Sequence, residues 1–118
     1  MMDEAARFRL QDMLEYARLA VSILGQADEN VLAVNAEKRL AVVRAVEVIG
    51  EAANAIDPAQ RVGMAAVPWD RIRAMRNRLI HNYGRIDHAI LVDTVRNHIP
   101  SLIAELERIL NDGAQGQK

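Results

Sequence analysis

Apolar residues recur at steps of three and four along almost the whole chain, and this spacing sets the class of fold. Such a repeat places apolar side chains on one face of an α-helix, which is then buried against another element. The first segment of this kind runs from Phe8 to Leu24 and ends at Gly25. No segment alternates apolar and polar residues between turn signals. The sequence therefore predicts an all-α fold.

Three more helices are predicted from the same spacing and from residues that begin or end helices. The second is expected to end at Asp57, because the residue before a proline avoids helical backbone angles. Asp87 is the expected N-cap of the fourth helix, and Pro100 is expected to kink or split that helix. The predicted spans are about 30–56, 68–84 and 87–112, and residues 58–67 are predicted to form a loop or a frayed turn.

Four helices joined by short connections predict one antiparallel four-helix bundle. The bundle is expected to be a single domain over residues 1–112, because 118 residues suffice for one core. The Gly- and Gln-containing segment 113–118 is predicted to be a disordered tail. Bundles of this kind often pair through an apolar face that one copy leaves uncovered, and the apolar stripes of these helices are wide enough to allow a homodimer.

Composition excludes several classes of protein. The chain contains no cysteine, which rules out disulfide scaffolds, thiolate nucleophiles, zinc fingers and iron–sulfur centres. No apolar run approaches the ~20 residues that span a bilayer, and the first residues lack the basic start of a signal peptide. A cytoplasmic protein that does not contact a membrane is expected.

Positive charge is concentrated in one segment. The chain as a whole has a net charge of −1, yet residues 71–85 contain five arginines and His81 and no acidic residue. The rest of the chain has ten of the 15 basic residues and all 16 acidic ones. This asymmetry predicts a local anion site, and the alternative is a solvated helix face. The five arginines are Arg71, Arg73, Arg76, Arg78 and Arg85.

The residues from Arg76 to Tyr83 bring together side chains suited to phosphoryl chemistry. Asn77 and His81 lie four apart and share a helix face. Arg76 lies about 140° around an ideal helix from His81, so the two meet only by reach or by local unwinding. Histidine titrates near neutral pH and can move a proton to or from ribose oxygens. Arginine can stabilise charge that develops on a phosphate.

Metal-free RNA cleavage by this set needs both a base and an acid, but each chain has only one histidine in the segment. A two-fold dimer would bring two copies of His81 into one cleft. The alternative is that these polar residues only cap or solvate a helix end. His88 and His98 are interpreted as surface or capping residues. A metal site formed by His81, Asp87 and His88 matches no standard ligand spacing.

A second polar cluster lies on the predicted second helix. Glu47 and Glu51 are four apart and share a face, which allows acid–base chemistry, but solvent-facing acids or ion pairs with arginine are the favoured interpretations. Gly50 lies between them, where a glycine costs about 1 kcal/mol relative to alanine. A close approach by another helix would explain its presence.

Three blocks of sequence resemble one family. Arg76-x4-His81-x-Tyr83 is similar to the Arg-x4-His-x-Tyr motif of the HepT-like toxins, a branch of the HEPN superfamily. Residues 45–53 resemble that family's second-helix signature, and residues 67–83 resemble its motif helix. Residues 91–102 fit its last helical region. The three blocks occur in the family's order and cover most of the chain.

The resemblance implies an all-helical homodimer that acts as a metal-independent endoribonuclease toxin and needs no cofactor. By that similarity Arg76 and His81 are catalytic, and Asn77 supports them. The family's partner is a minimal nucleotidyltransferase antitoxin, as in HepT/MntA-type (type VII) toxin–antitoxin pairs, and it transfers AMP to the motif tyrosine, which is Tyr83 here.

RNA is expected to be bound mainly by charge, through Arg76 and three further arginines. Arg71 is left out of this set because of its position around the helix. The alternative function is a non-catalytic helical subunit that binds and positions a nucleotidyltransferase. In that case Tyr83 lies only at the interface. The three further arginines are Arg73, Arg78 and Arg85.

Overall fold

The computed structural model describes residues 2–81 and 87–115, and every regular element in these residues is helical. The all-α prediction is confirmed. None of the helices in this part of the chain is long and apolar enough to cross a membrane. The α-helices are α1 (Glu4–Leu24), α2 (Glu29–Val34), α3 (Ala36–Asn54), α4 (Pro58–Val62), α5 (Trp69–His81), α6 (His88–Asp93) and α7 (Ile99–Gln115), and a π-helical turn (Thr94–His98) joins α6 to α7.

Helix α1 ends where the sequence predicts. Its N-cap is Asp3, whose carboxylate accepts a hydrogen bond from the Ala6 N–H at 2.7 Å. Its C-cap is Gly25, with φ of 54°, a left-handed angle that glycine adopts without the steric cost of a Cβ atom. The Gly25 N–H donates to the Val21 carbonyl and closes the last turn.

The prediction of one continuous helix over residues 30–56 is wrong, because Asn35 divides it into α2 and α3. Asn35 leaves the helical region, with φ of −104° and ψ of 92°. Its N–H still donates to the Val31 carbonyl at 2.8 Å, and its side chain accepts a hydrogen bond from the Lys38 N–H at 3.0 Å. Asn35 therefore closes one helix and caps the next. Apolar spacing continues across the break and so gives no sign of it.

The segment predicted as a loop or frayed turn contains the short helix α4. Asp57 caps it by accepting a hydrogen bond from the Ala59 N–H, and Pro58 occupies its first position, where a missing N–H costs nothing. The chain then turns into α5. The Trp69 indole Nε1 donates to the Met64 carbonyl at 3.0 Å, so the tryptophan ties α5 to the end of this connection.

The last helical region begins and breaks near the predicted residues. Asp87 caps α6 through a hydrogen bond from the Ile90 N–H. The π-helical turn ends at His98. The N–H of the next residue, Ile99, donates to the Thr94 carbonyl directly before Pro100. Proline has no N–H to continue the α-helical pattern, which accounts for a break at this place. Helix α7 extends to Gln115, beyond residue 112, at which the predicted domain ends.

The core is formed chiefly by α1, α3 and α7. Helix α1 packs against both α3 and α7, and α5 packs on α3. No polar or charged residue is buried among the described residues. Helix α5, which carries Arg76 and His81, therefore packs on α3, a helix that belongs to the core. Fully buried side chains of this core include Leu10, Met13, Val42, Val46, Ile49 and Leu106.

Candidate active site

Apolar side chains hold α5 against the rest of the molecule. Ile72 is buried, and Trp69 and Met75 are half-buried and pack on the core. The spacing of Trp69, Ile72, Met75 and Leu79 predicts one apolar stripe on this helix, and the first three residues lie on it. The Leu79 side chain lies outside the described residues. The stripe fixes how α5 is rotated and therefore where its arginines lie.

Arg76 lies against Gly50 of α3. A Cβ atom added at Gly50 would lie 2.6 Å from the Cβ of Arg76, 2.8 Å from its Cδ and 2.9 Å from its Cγ. Real Cβ atoms essentially never make contacts that short. Because residue 50 has no side chain, the aliphatic part of Arg76 can lie directly against α3. The expectation that Gly50 allows a close approach by another helix agrees with this contact.

The charged end of Arg76 has no acidic partner among the described residues. Its Nε is buried and makes no hydrogen bond to them. The carboxylates nearest in sequence to Gly50 are held by Arg44, whose Nη1 lies 3.6 Å from Glu47 and 3.2 Å from Glu51. Of the two favoured interpretations of these glutamates, solvent-facing acids or ion pairs with arginine, the structure shows the ion pairs. The Arg76 guanidinium is left with positive charge that can stabilise an anion.

Arg73 differs from Arg76 because it has a partner. Its Nη2 lies 2.6 Å from Oδ1 of Asp70, one turn earlier on α5. Asp70 lies immediately before the acid-free segment 71–85, and it compensates part of that segment's charge. The pair is exposed, with 44% of the Arg73 side chain accessible, and such surface pairs contribute little stability. A contact from Arg73 to RNA stays a prediction.

Arg71 and Arg78 line an open groove of about 550 Å³ between α5 and the α6–α7 region. Arg71 is not among the arginines predicted from the sequence to bind RNA, but in the structure it lines the same groove as Arg78. Arg71 and Arg78 are seven residues apart, which is about two helical turns. This spacing is the sequence feature that could have predicted that both lie on one side of α5. The groove's apolar lining includes Val46, Ile72, Met75, Leu91 and Leu102.

Helix α5 continues without interruption through His81. Local unwinding between Arg76 and His81 is therefore absent, and the two positions remain about 140° apart around the helix. Position 81 lies on the side of α5 that also carries Asn77, which is exposed. The His81 side chain and residues 82–86 lie outside the described residues, so the predictions for Tyr83 and Arg85 stay predictions.

The remaining histidines lie on the last helical region, and His98 lines the same groove as Arg71 and Arg78. His98 is exposed, and its Nε2 lies 3.4 Å from Oδ2 of Asp93. His88 occupies the first position of α6 and is half-buried. Within residues 2–81 and 87–115, no group of three or more histidine, aspartate and glutamate side chains is placed to hold a metal ion.

A family model described as ribonuclease HepT-like matches residues 13–109 of the chain. The matched range begins within α1 and ends within α7, and it includes every site residue named above.

Relatives of similar length support the same family. A Methanocaldococcus jannaschii protein named as a candidate RNase is 37% identical over 98 residues, 83% of this chain and 90% of that protein. A second such protein from that organism is 32% identical over 103 residues, 87% of this chain and 85% of its own. A Thermococcus cleftensis protein named as a probable ribonuclease HepT is 38% identical over 71 residues, 60% of this chain and 64% of its own. No solved structure matches the chain significantly.

Proposed function

The chain belongs to the HepT-like ribonuclease family, and from this we propose that it is a metal-independent endoribonuclease in which Arg76 and His81 are catalytic. The observation that carries the proposal is the state of Arg76. Its stem is held against Gly50, its charged end has no carboxylate partner among the described residues, and its helix continues to His81. A cation held in this way is preorganised for a phosphate.

The proposed reaction uses the RNA's own 2′-hydroxyl as nucleophile. Its oxygen forms a bond to the adjacent phosphorus, and its proton passes to a His81 imidazole acting as general base. The bond from phosphorus to the 5′-oxygen breaks, and that oxygen takes a proton from a second His81, acting as general acid. The products are a 2′,3′-cyclic phosphate and a 5′-hydroxyl. Arg76 stabilises the charge on the phosphate oxygens during the transfer.

Two histidines are available if two copies of the chain share one cleft. We propose that the helices form a HEPN-like four-helix bundle and that two bundles pair as a two-fold homodimer, which places the ends of both α5 helices together. The separation of positions 76 and 81 around α5 supports this arrangement, because one helix presents them on different sides. Light scattering that showed only monomers under cleavage conditions would contradict it.

The proposed RNA contact is electrostatic. Arg78 and Arg71 line the groove beside α5, Arg85 and Arg73 extend the basic segment, and exposed Asn77 positions the substrate. Neutralising phosphates releases counterions, so binding is expected to weaken steeply as salt rises. Single-stranded RNA is the expected substrate because its bases and backbone are accessible. Binding to a non-cleavable 2′-O-methyl RNA that did not change with salt would contradict the contact.

We also propose that the protein is the cytoplasmic toxin of a pair whose antitoxin is a nucleotidyltransferase. The antitoxin would transfer AMP from ATP to the Tyr83 hydroxyl and release pyrophosphate. The added phosphate would bring negative charge and bulk beside the arginines of α5 and exclude RNA. Incubation of the two proteins with ATP should give an AMP adduct in the peptide that contains Tyr83, and a Tyr83→Phe variant should give none. An unmodified Tyr83 in the wild type would contradict this.

The proposed activity is tested by RNA cleavage in excess EDTA with purified protein whose intact mass shows that it is unmodified. We expect fragments that end in a 2′,3′-cyclic phosphate. Cleavage that required added divalent metal would contradict the mechanism. No cleavage of several RNA pools would contradict the activity, and it would favour the alternative of a non-catalytic subunit for a nucleotidyltransferase. Expression without the partner should arrest growth only if the chain is the toxin.

A further inference from the structure

We propose that Gly50 is a positioning residue for catalysis, whose missing side chain sets where Arg76 lies. This inference rests on the proposed function for its effect on RNA cleavage, but its structural basis is independent of that function. Gly50 is buried near the C-terminal end of α3, and Arg76 lies in the second half of α5. The two are joined only by the packing of these helices.

The contact involves an atom that cannot rotate away. The Cβ of Arg76 is bonded to the backbone of α5, and it would lie 2.6 Å from a Cβ at residue 50. A new rotamer would move the Cγ and Cδ of Arg76 but would leave this Cβ where it is. Relief therefore requires α5 to move relative to α3 by roughly 1 Å, since carbon atoms pack at ~3.5–4.0 Å. A side chain at residue 50 would displace Arg76 together with its helix.

Helix propensity argues against glycine at this position. Glycine in the interior of a helix is less favourable than any other residue except proline, and nothing in the backbone of α3 requires it, because positive φ occurs only at Gly25 in the described residues. The neighbours of Gly50 on α3 include the buried side chains of Ile49 and Val46. The close approach of Arg76 accounts for the absence of a side chain at residue 50, since the three atoms nearest to an added Cβ all belong to Arg76.

Gly50→Ala is expected to lower kcat for RNA cleavage by about 10²-fold, the effect of misplacing a catalytic group by 1 Å. KM should change less than threefold, because the exposed arginines that bind RNA are retained. The matched control is Ile49→Val, which alters the adjacent buried residue of α3 without touching Arg76 and should keep kcat. An unchanged kcat in Gly50→Ala would overturn the proposal.

A double-mutant cycle separates positioning of Arg76 from general damage to the site. In an Arg76→Gly background there is neither a guanidinium to misplace nor a Cβ atom to meet a side chain at residue 50, so Gly50→Ala should cause little further loss in single-turnover cleavage. An equal loss in both backgrounds would mean that residue 50 acts on the whole site rather than through Arg76, and it would overturn the proposal.

Thermal unfolding tests the contact without any activity. Gly50→Ala should lower Tm in the wild type, because the new methyl group overpacks the contact between the helices. In an Arg76→Gly background the opposing Cβ is gone, and the same change should raise Tm by about 2–6 °C through its helix propensity. A Tm shift of the same sign in both backgrounds would contradict a contact between residue 50 and Arg76. If the wild type fails to cleave RNA, the proposed function fails, while this reversal of sign still tests the packing.

Discussion

His81→Ala is expected to abolish RNA cleavage while leaving the fold intact. Positioned general acid–base catalysis contributes roughly 10²–10⁴-fold to a rate, and the proposed site uses His81 for both proton transfers. Loss of both transfers should reduce single-turnover cleavage by about 10⁴-fold or more. The fold should persist because the core lies chiefly on α1, α3 and α7, whereas residue 81 is the last residue of α5. RNA cleavage in EDTA measures the activity and far-UV circular dichroism measures the fold. Light scattering measures the oligomeric state, which should also be unchanged.

The matched control for His81→Ala is His98→Ala. His98 is exposed and lines the groove together with Arg71 and Arg78. The proposed proton transfers do not use it, so its loss should leave the cleavage rate of the bound complex within about twofold. A fully active His81→Ala protein would contradict the catalytic assignment. An inactive His98→Ala protein with unchanged structure would move the assignment to that residue.

The parts of the fold that the sequence predicts well are those encoded by local features. The end of α1 at Gly25 and the start of α6 at Asp87 each depend on the conformation or capping capacity of one residue. Asn35 has the same capping capacity, but it lies within a continuous apolar pattern, and the pattern outweighed it in the prediction. A capping residue is readily predicted where the apolar spacing also ends. It is missed where the apolar spacing continues past it, as at Asn35.

The candidate site is less predictable because its geometry depends on contacts between helices. The spacing of Arg76 and His81 gives the angle between them on an ideal helix but not what either side chain touches. The contact between Arg76 and Gly50 joins residues 26 positions apart in the sequence, and the pairing of Arg44 with Glu47 and Glu51 decides which cation those acids neutralise. The residue types therefore indicate the proposed phosphoryl chemistry. The packing of the helices determines which arginine lacks a carboxylate partner and is available to a phosphate.

Arg76→Ala is expected to lower single-turnover cleavage by about 10²–10³-fold, the usual cost of removing one preorganised donor to a developing charge. Arg76→Lys keeps the charge and most of the stem over Gly50, but it loses the planar fork that holds two phosphate oxygens at once. Lysine should therefore recover only part of the lost rate. Both variants should fold, because the Arg76 charge has no partner among the described residues whose loss would leave a second group unpaired.

The matched control for these variants is Arg73→Ala, because Arg73 lies one turn earlier on the same helix and is already paired with Asp70. Its loss should weaken RNA binding modestly and leave the rate of the bound complex unchanged. If Arg76→Ala lowered only the affinity for RNA, as Arg73→Ala should, then Arg76 would be one more cation that binds substrate. A loss of rate at saturating protein that lysine repairs in part is the outcome that requires its guanidinium at the reacting phosphate.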